Sequence, residues 1–76
     1  MRTGYAIRDR HERGWLQNRT KLEGVSVPVT VWAESEENAM EFHRLKDARA
    51  MLRVIRKDVR RPDRVNILDP RWRVVV

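Results

Sequence analysis

Leu45, Ala48, Leu52, Ile55 and Val59 recur at spacings of three, four, three and four, and Met51 widens the row. That period places all six on one face of an α-helix. An apolar stripe of this kind must be covered, because helices in water draw most of their stability from packing. The stretches on either side alternate instead, as "TGYAIRD" and "VSVPVTVW" do before the helix and "RVNILDPRWRVVV" does after it. Strands, one principal amphipathic helix and a further strand imply an α+β fold. The expected architecture is an antiparallel sheet of three to five strands with the helix packed on one face, in the order ββ(β)αβ.

Tyr5 and Ile7 share one face of the first strand, and after the turn "RHERG" the residues "WLQN" return beside it. Gly14 supplies a positive φ there. "NRTKLEG" reads as a polar loop. In the next strand, residues 25 to 32, Val25, Val27, Val29 and Val31 lie on one side, and Pro28, lacking an N–H, asks for an edge position or a bulge. Ser35 is the N-cap of a short helix with Glu36 and Glu37 in its first turn. Pro62 stops the main helix, and Asp69 and Pro70 suit the first two positions of a type I turn, which makes the last segment a hairpin or a bent strand.

Trp32, Ala39, Phe42 and Ala48 follow one another at seven, three and six residues. With an opening "YAIRD" strand and a closing strand, this resembles small proteins of unknown function from phages and integrated mobile elements, over residues 5 to 55. Their pattern runs strand, Trp, A-x-x-F, helix, strand. The resemblance implies a fold and an association with mobile elements, and it implies no activity. Arg44 departs from it, since that pattern usually has a Ser or Thr cap there.

A chain of 76 residues is read as a single domain, residues 1 to 76, with one small core. No cysteine is present, which excludes disulfides and thiolate metal sites. No apolar run reaches the length of a membrane span, and the first residues lack a signal peptide's apolar segment, so the expectation is a cytoplasmic protein without a membrane partner. His11 and His43 form no metal-binding or catalytic spacing. No enzyme activity, metal or cofactor is expected.

The cations are more informative. The chain carries 17 basic against 11 acidic residues, a formal charge of +6, and arginine dominates. Its planar fork suits phosphates and carboxylates. At 100° per residue, Arg49, Arg53, Arg56, Lys57 and Arg60 fall within about 20° to 120° of Leu45, while Asp47 and Asp58 fall near 200° to 220°. The pairs 49/53, 53/57 and 56/60 are then like-charged at i,i+4, which costs a few tenths of a kcal/mol each. Glu34, Glu36, Glu37 and Glu41 are of the right sign to neutralise that flank from within. Otherwise it meets an outside anion, either an acidic protein surface or a nucleic-acid phosphate backbone. Trp15 and Trp72, each beside a turn, are possible aromatic contacts for such a partner. The expected function is that of a small binding protein, an interaction module or inhibitor, with a basic nucleic-acid-binding accessory protein as the alternative. A monomer or weak homodimer is expected.

Overall fold

The computed structural model describes residues 2–11, 14–21 and 23–76. Strands β1 (Ala6–Asp9), β2 (Gly14–Thr20) and β3 (Val29–Ala33) precede helix α1 (Leu45–Asp58), and β4 (Val65–Leu68) and β5 (Val74–Val75) follow it. They build one five-stranded antiparallel sheet in the order β3-β2-β1-β4-β5. The fold is α+β, as the two periodicities imply. The first strand is the middle one: β1 pairs with β2 on one side and with β4 on the other, with Ile7 opposite Ile67.

On one face, Ile7, Leu16, Val65 and Ile67 of the sheet meet Ala48, Leu52 and Ile55 of α1. Each fully buried aliphatic side chain contributes about 1.5 to 3 kcal/mol, so this contact holds α1 in place. Leu45, Met51, Val59, Trp32 and Phe42 border it half-buried. At the start of α1, Arg44 is the N-cap and makes no side-chain capping bond. Packing, with Asp47 favourably placed in the first turn, fastens that end.

Several local readings change. The helix ends at Asp58 rather than running up to Pro62; Val59 is already extended, and Pro62 opens a 3-10 turn, Pro62–Arg64. A residue before proline avoids the α region, so Arg61 cannot readily continue the helix. β2 runs on to Thr20, so Arg19 and Thr20, expected in a loop, pair with Thr30 and Val29. Arg19 reaches the helix side, where its guanidinium binds Asp58 and Thr30 Oγ1. That partner lies 39 residues away, beyond any local reading.

Conversely, β3 begins only at Val29, just after Pro28, and Val25 and Val27 lie outside it and exposed. Proline at the head of an edge strand leaves no ladder bond unmade. A register shift between Leu16 and Asn18 marks a bulge. Trp32 packs toward α1, so Val31 points to the other face. The expected turn "RHERG" includes Glu12 and Arg13, and the expected loop includes Leu22, all outside the described residues. Gly14 has φ 83, and a Cβ there would meet the Ala33 carbonyl oxygen at 2.3 Å, so both backbone shape and strand approach require glycine.

The short helix after Ser35 is a 3-10 turn, Glu36–Asn38, with Ser35 Oγ accepting from the Glu37 N–H. Phe42 and Tyr5 then exchange two backbone hydrogen bonds of 2.8 Å, which tie the segment before α1 to the start of β1. Among the described residues, no helix is long and apolar enough to cross a membrane.

Candidate functional site

The basic flank of α1 divides in the folded protein. Arg49, Arg53 and Arg56 line a groove of about 470 Å³ between α1 and the β4–β5 hairpin, over Leu52, Ile67 and Val75. Arg49 donates to the Val76 carbonyl at 2.9 Å, and Arg56 donates twice to the Val65 carbonyl, at 3.3 and 2.9 Å. The Val65 carbonyl is neutral, so its two bonds fix the Arg56 guanidinium without cancelling its charge. Lys57 and Arg60 are exposed and do not line the groove.

Two of the four glutamates suspected of neutralising this flank are engaged elsewhere. Glu36 pairs with Arg2 at 3.1 Å. Glu41 accepts from the amides of Thr3, at 2.8 Å, and Gly4, at 3.2 Å. Those bonds, Thr3's first, hold the Glu41 carboxyl below the usual carboxylate range. Among the described residues, no ion pair joins Glu34, Glu36, Glu37 or Glu41 to Arg49, Arg53, Arg56, Lys57 or Arg60.

The sheet's other face has no helix, yet Trp15 is only 3% exposed there. Ala39, just after the 3-10 turn, packs against it, and the rest of its cover is made of cations and a second ring. The Arg2 Cζ lies 5.4 Å from the Trp15 ring centre and the Arg8 Cζ 5.2 Å from it, while Trp72 packs edge-on at 5.0 Å and 77°. Arg8 also lies 4.8 Å from the centre of the Trp72 ring, so it sits against both indoles. Such contacts contribute about 0.5 to 2 kcal/mol each as water is excluded.

Trp72 reaches this position through an unusual backbone. Its φ is 66°, the one positive value outside glycine among the described residues. The left-handed region costs a bulky L-residue about 1 to 2 kcal/mol. The Asp69 turn imposes it: the Trp72 N–H donates to the Asp69 carbonyl at 2.9 Å, and the Asp69 carboxylate accepts from the amides of Arg71 and Arg73 and from Arg73 Nε. These donors, the Arg73 amide foremost, hold the Asp69 carboxyl below the usual range. The Trp72 ring is thereby folded back over the sheet while 49% exposed.

Arg2 and Arg8 differ in one respect. Arg2 uses four of its five N–H donors, to the carbonyls of Gly4 (2.7 Å), Leu68 (3.0 Å) and Asp69 (2.7 Å) and to Glu36. Among the described residues, the buried Nε of Arg8 finds no acceptor. Beside it lies a depression of about 170 Å³ lined by Arg8, Arg10, Asn66, Leu68, Trp72 and Val74. Asn66 and Val74 also line the groove beside α1, so the two basic surfaces meet around the edge of β5.

Trp15 and Trp72 were legible as candidate contacts, and the structure brings them together. Arg8 and Asn66 were not. The available signal was alternation: Arg8 is the outward residue of β1, and it stands opposite Trp15 on β2 and Asn66 on β4. His11 and His43 are exposed, and no group of three metal-ligating side chains occurs among the described residues. No family model matches the chain, and no curated protein or solved structure shows significant similarity to it. The functional reading therefore rests on the geometry.

Proposed function

We propose that the protein is a non-enzymatic binding module for nucleic acid, holding a phosphate backbone against the arginine side of α1. The observation that carries this reading is the standing positive charge there: Arg56 is propped by a neutral carbonyl, while Glu36 and Glu41 are engaged by Arg2 and by the amides of Thr3 and Gly4. Guanidinium groups held in place lose little freedom on meeting a phosphate. The resemblance to phage and mobile-element proteins is consistent with an accessory role of this kind.

A second reading, an extended acidic peptide, has its own support. β5 is a short edge strand beside the apolar floor of the groove, and edge pairing is a common recognition mode. Nucleic acid is favoured because the basic surface continues past β5 onto a face carrying an exposed indole. Anisotropy titrations of labelled single-stranded and duplex oligonucleotides across a salt series test it. Binding is expected to weaken with salt by about 0.7 log units per log unit of salt for each phosphate neutralised on a single strand. Arg53→Gln is expected to flatten that slope by about 0.7. Absence of binding below about 100 µM at low salt would overturn the reading, since non-specific binders reach 10⁻⁴ to 10⁻⁶ M even at physiological salt.

A further inference from the structure

We infer that the depression beside Trp72 is a subsite for one unpaired nucleobase and that it favours guanine, an inference that rests on the nucleic-acid reading above. Three features converge on it. First, Trp72 is the exposed ring of the pair: half of it is open to solvent, whereas Trp15 is sealed beneath Arg2, Arg8 and Trp72. An open indole stacks on any base. Second, the left-handed backbone at residue 72 carries this ring back over the sheet, so the ring stands over the depression rather than beyond it. Third, Arg8 lies against two ring faces, and among the described residues its buried Nε has no acceptor.

The polar chemistry around the depression chooses among bases. Arg8 and Arg10 donate and cannot accept, and Asn66 alone does both. Guanine presents two adjacent acceptors, O6 and N7, and an arginine fork matches that edge. Adenine and cytosine each place an amino donor on the corresponding edge, facing donors. The Asn66 oxygen is left to accept from guanine's own N–H groups. The depression, about 170 Å³, has room for a base swung out of a strand and none for a duplex, in which the bases face one another. The basic groove on the far side of β5 then takes the neighbouring phosphates, because Asn66 and Val74 belong to both surfaces.

The test uses labelled twelve-residue oligouridines with a single central guanine, adenine or cytosine, titrated at low salt. The guanine oligomer is expected to bind at least about fivefold more tightly than the other two, the weak end of what one two-pronged contact contributes. Trp72→Gly should abolish that preference while leaving the salt dependence unchanged, and Trp72→Phe should retain it. Glycine is the natural resident of the left-handed backbone, so the turn is expected to survive, and dispersed amide NMR signals check this. If Trp72→Gly does not fold, Asn66→Ala serves, with the preference again expected to shrink. Equal binding of all three oligomers by the parent protein overturns the subsite and leaves the phosphate-binding reading standing. Failure to bind any of them overturns both.

Discussion

The two faces of the sheet are closed by different physics. Under α1, aliphatic side chains exclude water by filling space, and Ile7, Ile55 and Val65 are fully buried. On the other face no α-helix packs, and Trp15 is covered by Arg2, Arg8 and Trp72 together with Ala39. Long cationic side chains can lie along an apolar ring while their heads seek polar partners, so a small domain can bury a tryptophan without a second helix. Charge comes with that solution. The helix face is filled beneath α1 and opens only at the groove beside the β4–β5 hairpin, while the other face keeps a cation and an indole at the surface.

The sharpest way to break the comparison is to weaken each face in turn. Ile55→Ala is expected to destabilise by about 2 to 5 kcal/mol in chemical denaturation, since the site is fully enclosed. A loss under about 1 kcal/mol would mean that the helix face is not the main core. Arg2→Met comes next, at about 2 to 4 kcal/mol, because three backbone carbonyls and Glu36 lose their donor together. A near-neutral result would show that Arg2 acts on this face only as a hydrophobic cover.

Acid should separate the faces without mutation. Asp69 and Glu41 titrate below their ordinary values when folded. Their contribution is fully present above the unfolded carboxylate range and is lost as the pH falls through the lower, folded values. Asp69 holds the Trp72 turn, so the Trp72 indole NMR signal is expected to shift below about pH 4 before α1 loses its circular dichroism. Coincident loss of both would make the two faces one cooperative unit. Asp69→Asn should flatten the acid limb of the melting temperature. The smallest expected effect is that of Arg53→Gln, within about 0.5 kcal/mol, because Arg53 is exposed and its neighbours at i±4 are cations.

The sequence by itself determined what depends on near neighbours: the phase of α1, the α+β class, glycine at position 14, the Ser35 cap and the Asp69 turn. Periodicity and backbone preference act over a few residues, and they survive whatever the rest of the chain does. It also marked Trp15, Trp72 and the flank of Arg49, Arg53 and Arg56. The tertiary structure decided which of these meet. The flank splits because the β4–β5 hairpin docks beside Arg49 and Arg56, and Lys57 and Arg60 do not line the groove it forms. Arg19 belongs to a strand rather than a loop because it pairs with Thr30 of β3, and its guanidinium then reaches Asp58. Arg8 lies against two indoles because strand register sets it opposite Trp15 and because the Asp69 turn holds Trp72 in a backbone that tryptophan avoids alone. Register and docking arise from pairings dozens of residues apart, and no local pattern encodes them.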